Sequence, residues 1–422
     1  MKKILLFISI LSLALSSCEK EDVDEIFNQS PEQRVSEQLN AVRTDLKSNE
    51  MGWLTTYTCD EGARELVLVI KFIDDNRAEI SAPGYDMKQE SGYVLNYTQQ
   101  VDLVFDTHSF LALLVDLKWK ADFRWELDKQ EDGQYFFKSV GGQSEGESEL
   151  NMVKATPEKL QLAMEIQAFK AKMRANDNIS YFRVLELNSG ERYDYSFIDN
   201  KVIFEKPIEE SVIRFESEIT IKDNSFVLTT PLLVDGKSIS EFEYDEATGN
   251  FKIINSDDVE GGINFVNSPA IYPQAYMEIG TNVTDLRFYP WHSSDSSSEN
   301  FQSFFTNTQE SLAASGYEFE SFRIQWGYAG KYNLVWATID GEDEYFMFDM
   351  VQKDGKIIFE LTGYSIEDEN LINGLMPFIN FFFYEEGFYV KFNGNFKQYS
   401  NLTYLLISAK NASFGINFIE WG

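Results

Sequence analysis

Three times along this 422-residue chain a single amphipathic helix gives way to a run of short, alternating segments, and no other feature limits the fold as much. Ser30-Pro31-Glu32-Gln33 joins a Ser N-cap, Pro at the first helical position and Gln three residues after the cap, so cap and Gln can satisfy each other's backbone donors. Val35, Leu39, Val42 and Leu46 then recur at helical spacing, which predicts a helix over 31–47. Thr156-Pro157-Glu158-Lys159 opens a second helix, carried by Leu160, Met164 and Ala168 as far as Arg174. A third is predicted from Glu299 to Ala314, with Phe301, Phe305, Thr308 and Leu312 in register.

Between these helices the period changes from 3.6 to 2. Strands are predicted at 53–57, 66–73, 93–97, 101–106, 123–127 and 135–140 after the first helix, and at 181–187, 193–198, 201–205, 212–221, 225–230, 242–244 and 251–254 after the second. After the third they are predicted at 322–326, 332–339, 345–351, 356–361, 378–384, 388–392 and 402–408. Turn residues separate them, among them Asp74-Asp75-Asn76, Asn188-Ser189-Gly190 and Lys353-Asp354-Gly355. The expected fold class is therefore α+β, dominated by antiparallel β-meanders, barrel- or sandwich-like with a lipocalin-like barrel among the forms. Each meander is expected to be preceded by one amphipathic helix that plugs or caps a sheet face. The expected modules are 31–155, 156–268 and 269–422, with Gly141–Glu149 a mobile loop and Asp257–Gly262, Pro269 and Pro273 in an interdomain connection. At 43% apolar and 15% aromatic the chain can fill large cores, and it must do so without a disulfide, since Cys18 and Cys59 are its only cysteines.

The start of the chain reads as an address. Lys2 and Lys3 precede an apolar or small-residue run from Ile4 to Leu15, which is shorter than the roughly 20 apolar residues that span a bilayer and so reads as a signal-peptide core. Leu15-Ser16-Ser17-Cys18 then has the shape of a bacterial lipobox, which makes residues 1–18 a lipoprotein signal, Cys18 the lipidation site and 19–30 an acidic tether. Acyl chains on Cys18 would hold the protein to a membrane, one chain alone giving only marginal binding. Lys20-Glu21-Asp22 resembles the acidic export signal of Bacteroidota surface lipoproteins, so the expected location is the outer membrane, lipid-anchored and facing the cell exterior. With 36 basic against 69 acidic residues the net charge is −33, and a field of that sign repels nucleic acid and anionic membrane.

Chemistry is scarce. His108 and His292 are the only histidines, and the chain carries no His-Glu-x-x-His, no Gly-x-Ser-x-Gly and no phosphate-cradling glycine loop. Cys59, at the end of a strand-like run, reads as a small packed residue. No metal site is expected. Asp128-Lys129-Gln130-Glu131-Asp132-Gly133 has a faint likeness to a calcium loop, but Ser139 stands where a bidentate Glu is required, and Glu367–Asn370 and Asp257–Glu260 carry the same weak signal. Paired carboxylates for glycoside hydrolysis could be drawn from 69 acids in many ways, so sequence selects none. What remains is an aromatic loop, in which Tyr289, Trp291 and His292 are the candidate ligand-binding residues.

The run Ile26-Phe27-Asn28-Gln29-Ser30-Pro31-Glu32-Gln33-Arg34, followed by a helix and then Gly52-Trp53-Leu54-Thr55-Thr56-Tyr57, resembles the opening of Bacteroidota lipoproteins in domain-of-unknown-function family 4302. A departure is Glu61-Gly62-Ala63-Arg64, with a single Gly where the family leads one to expect a glycine-rich turn. The resemblance implies company with SusC/SusD-like uptake systems, and so a TonB-dependent transporter and its lipoprotein partner as partners. It brings no activity and no functional residues. The expected function is a non-catalytic, surface-exposed binding accessory of such a system, without cofactor. The alternatives are a carboxylate-dependent hydrolase on glycan or peptide and an envelope scaffold.

Overall fold

The computed structural model describes residues 29–421 except 60–63, 117–119, 140–147, 175, 199, 209–210, 257, 294–295 and 398. The signal peptide, most of the tether and most of the Gly141–Glu149 loop thus lie outside the described residues.

Period-two alternation closes on itself three times. Barrel 1 runs from β1 (Trp53–Cys59) to β8 (Glu149–Lys154), barrel 2 from β9 (Phe182–Leu187) to β16 (Gly261–Val266), and barrel 3 from β17 (Asp285–Phe288) to β24 (Gly415–Glu420). In each, eight strands pair antiparallel in chain order and the last returns to the first, as in Trp53↔Lys154 through Thr58↔Glu149. Closure leaves no free edge strand, and alternate residues fill the interior. The chain divides into two compact units, 1–167 with barrel 1 and 168–422 with barrels 2 and 3.

Six α-helices are described: α1 (Pro31–Lys47), α2 (Phe110–Asp116), α3 (Pro157–Met173), α4 (Pro290–Ser293), α5 (Glu299–Ala313) and α6 (Glu369–Phe382). The expected capping box of α1 forms, Gln33 N–H donating to Ser30 Oγ at 3.2 Å and Ser30 N–H to Gln33 Oε1 at 3.1 Å. A helix does precede barrels 1 and 2. In barrel 3, however, α5 follows the first strand, because the short β17 was hidden in the aromatic run before it. Two other expectations also fail. The 378–384 segment is not a strand: Asp368 caps α6, which buries Leu371, Leu375, Phe378, Ile379 and Phe382 as a helical stripe. Nor is Asp257–Gly262 wholly a connection, since Gly261 opens β16, which pairs with β9 to close barrel 2.

The interiors are packed solid. In barrel 1 Trp53, Tyr57, Trp125, Tyr135 and Phe137 are buried, with Trp53 edge-on to Tyr135 at 5.2 Å and Tyr57 edge-on to Trp125 at 5.8 Å. Each such side chain contributes about 1.5–3 kcal/mol by leaving water. Cys59 is buried in the same core.

A helix end pushed into a barrel brings unsatisfied carbonyls with it. In barrel 1, Val42 and Leu46 of α1 join the core and the Trp53 indole donates to the Leu46 carbonyl at 2.7 Å. In barrel 2, Phe169 and Met173 of α3 join the core. There Tyr195 Oη donates to the Met173 carbonyl at 3.0 Å, and the buried Arg183 donates to Lys172 at 2.6 Å and Arg174 at 3.1 Å.

Candidate functional site

Barrel 3 carries the expected aromatic loop. Along β17, Leu286 and Phe288 point into the core while Asp285 and Arg287 point out. Asp285 grips the Arg287 guanidinium at 3.0 and 3.1 Å, and the guanidinium lies 4.7 Å from the centre of the Trp421 ring and donates to Tyr289 Oη at 3.3 Å. Burial opposes the charge on Arg287, but the bonds to Asp285 and Tyr289 outweigh it and hold the pKa above its ordinary value.

Pro290 then turns the chain into the single turn of α4. Tyr289 and Trp291 lie 5.3 Å apart, Trp291 and His292 6.2 Å, and His292 meets Phe396 at 5.7 Å. Phe396 stacks on Tyr399 at 5.8 Å and 12°. The result is a continuous strip running Trp421, Arg287, Tyr289, Trp291, His292, Phe396, Tyr399. Three of its large rings face solvent: Trp291 is 62% exposed, Tyr399 53% and Trp421 50%.

The serines that follow fix this strip in place. Since β17 pairs with β24 only at Leu286↔Glu420 and Arg287↔Ile419, the start of β24 lacks a strand on that side. Ser297 Oγ accepts from Asn417 N–H at 3.0 Å and Ser298 Oγ from Gly415 N–H at 3.0 Å, while Ser298 N–H donates to the Gly415 carbonyl. Ser298 also caps α5 through Phe301 N–H at 3.2 Å. Side-chain hydroxyls thus continue the ladder where the backbone partner runs out.

Sequence reasoning found Tyr289, Trp291 and His292, and the fold brings all three together. It missed Arg287, Phe396, Tyr399 and Trp421, which arrive only through barrel closure; the paired aromatics of Phe396-Lys397-Gln398-Tyr399 were the one legible signal. Cys18 lies outside the described residues. His108 sits in the loop before α2, its Nδ1 3.3 Å from Thr107 Oγ1. The calcium-like stretch at Asp128 is a hairpin whose Asp132 and Gly133 take φ of 51° and 72°, as a two-residue mirror-image turn requires. Asp368 spends its carboxylate on the Asn370 and Leu371 N–H groups. Among the described residues no group of three or more His, Cys, Asp or Glu is placed to hold a metal ion. The strip presents ring faces and one clamped guanidinium, a surface that can stack and hydrogen-bond but that does not converge on a reacting atom.

Residues 23–246, more than half of the chain, match the family described as Domain of unknown function (DUF4302). The chain belongs to the DUF4302 family. The match covers barrel 1 and most of barrel 2 of this DUF4302 protein, and the aromatic strip lies beyond it. No curated protein matches. Among solved structures, the beta subunit from DNA polymerase of Streptococcus pyogenes is 8% identical, covering 91% of this chain and 97% of its own, with a TM-score of 0.14. DNA polymerase III subunit beta from Borrelia burgdorferi, also 8% identical, covers 92% and 97% with a TM-score of 0.13. Likeness at that level carries no argument about the DUF4302 chain.

Proposed function

We propose that this is a lipid-anchored, surface-exposed, non-catalytic binding protein of the Bacteroidota outer membrane, serving a SusC/SusD-like uptake system and engaging its ligand through the strip on barrel 3. The observation that carries the binding reading is the row of half-exposed rings at Trp291, Tyr399 and Trp421, linked through Arg287, Tyr289, His292 and Phe396. Contiguous exposed aromatic surface marks interaction sites, and rings already packed against their neighbours lose less freedom on binding. The acidic charge disfavours anionic polymers. Neutral glycans, whose sugar rings stack on aromatic faces, are the ligand class that fits. The anchor reading rests on the lipobox ending at Cys18.

The test is a calorimetric titration of the soluble chain lacking its first eighteen residues, 19–422, with a panel of neutral oligosaccharides, repeated on Trp291→Ala and Tyr399→Ala. Hot-spot aromatics of this kind are worth about 2 kcal/mol, so each variant should bind roughly 30-fold more weakly while melting at the wild-type temperature. Glycan binding that both variants leave intact, or no binding across the panel, would sink the reading.

A further inference from the structure

A second recess lies where barrel 2 meets barrel 3, on different residues from the strip. It has a volume of about 190 Å³ and is lined by Phe182, Asp194, Ser196 and Glu205 of barrel 2, by Pro269 and Ile271 of the connection, and by Lys391 of β22 (Phe388–Asn395). That volume equals about six waters at ~30 Å³ each. It falls below the ~300–1,000 Å³ of drug-sized sites. The occupant must be small.

Charge gives its character. Among the described residues, Lys391 Nζ has no hydrogen-bond acceptor and no carboxylate within 4.0 Å; it lies 5.7 Å from the centre of the Phe182 ring. Lys391 reaches solvent at the mouth of the recess, yet enough protein surrounds the amine to push its pKa down against the pull of Asp194. Across the recess, Asp194 accepts the N–H groups of Ala270 at 2.6 Å and Ile271 at 3.2 Å, one on each oxygen. An ionised carboxylate has about four acceptor sites, so two remain. Burial nevertheless holds the Asp194 pKa above the ordinary carboxylate value. Arg183 turns its donors to backbone carbonyls, and Glu205 is partly neutralised by Arg214 at 3.3 Å. One unpaired cation therefore faces one carboxylate with spare acceptors, too far apart to pair, across a recess whose apolar part is Phe182, Pro269 and Ile271.

We propose that the recess binds a free α-amino acid, its carboxylate on Lys391 Nζ, its ammonium on the open lone pairs of Asp194 and its side chain against Pro269 and Ile271. Each ionic group then gains the partner it lacks, and the ligand bridges β10 (Arg192–Ile198) of barrel 2 to β22 of barrel 3.

The experiment titrates the same soluble chain, residues 19–422, separately with L-alanine, L-leucine and L-glutamine, and with acetate and methylammonium as half-molecules. At least one amino acid should bind at least tenfold more tightly than either half-molecule. Lys391→Met, which keeps the stem and drops the charge, should abolish that binding, and Lys391→Arg should retain it. Ser196→Met, which fills the recess, should abolish it independently should the Lys391 variants misfold. Trp291→Ala should leave it unchanged, which separates this site from the strip. The proposal is overturned if none of the three amino acids binds, if Lys391→Met or Ser196→Met binds as wild type, or if acetate alone binds as well as the amino acids.

Discussion

Arg183→Met tests how barrel 2 holds the end of α3. Arg183 is 4% exposed, and its guanidinium donates to the carbonyls of Lys172, Arg174 and Gly249 and lies 4.9 Å from the centre of Phe251 and 4.5 Å from that of Phe265. Met keeps the stem against those rings but removes every donor. A buried carbonyl left unsatisfied costs about 1–3 kcal/mol, so three represent roughly 3–9 kcal/mol of gross loss. Against this, a buried cation carries a desolvation penalty of several kcal/mol. Burial accordingly pushes the Arg183 pKa down, and among the described residues its Nε finds no partner. A net destabilisation of about 3 kcal/mol is expected, because the penalty is shared with favourable ring contacts while, among the described residues, no other donor reaches the three carbonyls. All seven tryptophans lie outside 168–268, so their fluorescence is blind to this barrel and far-UV circular dichroism in urea must follow it. Hydrogen exchange should show faster opening at residues 168–174 and along β15 (Asn250–Ser256). A loss below about 1 kcal/mol, with exchange unchanged there, would refute the reasoning and mean that water can replace the guanidinium.

Ser298→Ala removes both the α5 cap and the acceptor of the Gly415 N–H; a loss of about 2–3 kcal/mol is expected in urea unfolding followed by tryptophan fluorescence, with Ser298→Thr close to wild type. Gly261→Ala would set a Cβ 2.2 Å from the Glu186 carbonyl at the closure of barrel 2 and should cost about 3 kcal/mol or prevent folding, whereas Gly236→Ala meets nothing within 4 Å and should cost only the roughly 1–2 kcal/mol of its left-handed backbone. Burial and repulsion from Glu278 hold the Glu420 pKa above the usual glutamate value. The folded state thus keeps that proton more tightly than the unfolded chain. Stability should fall as pH rises from about 4.3 through the folded value. Glu420→Gln should accordingly raise the melting temperature at pH 7 but not at pH 4, and equal melting temperatures at pH 7 would contradict the sign.

What was legible in the sequence was whatever rested on local pattern. The capping box at Ser30, the stripe of α5 and the alternation of most strands need only neighbouring residues, and these match the structure closely. The failures came where a local signal had two readings. Phe378-Ile379-Asn380-Phe381-Phe382-Phe383 has strand-like composition, yet its burial follows the helical stripe set from Asp368, and the acidic cluster that looked like a weak ion site was the cap that started it. The four residues of β17 were too few to show an alternation among the aromatics around them.

The sequence by itself determined the period of most segments, the places where many turns fall and the apolar and aromatic content of the cores, because these are properties of short stretches of chain. It also placed three aromatics of the strip in one loop. Only the tertiary structure decided that the meanders close, since closure depends on hydrogen bonds between residues about 100 apart, as between Trp53 and Lys154. The same closure decided that Trp421 and Phe396 would join Trp291, that the serine tract would substitute for a missing strand, and that Lys391 would face Asp194 across a recess. Apart from the paired aromatics at Phe396 and Tyr399, none of those pairings leaves a trace in spacing or composition.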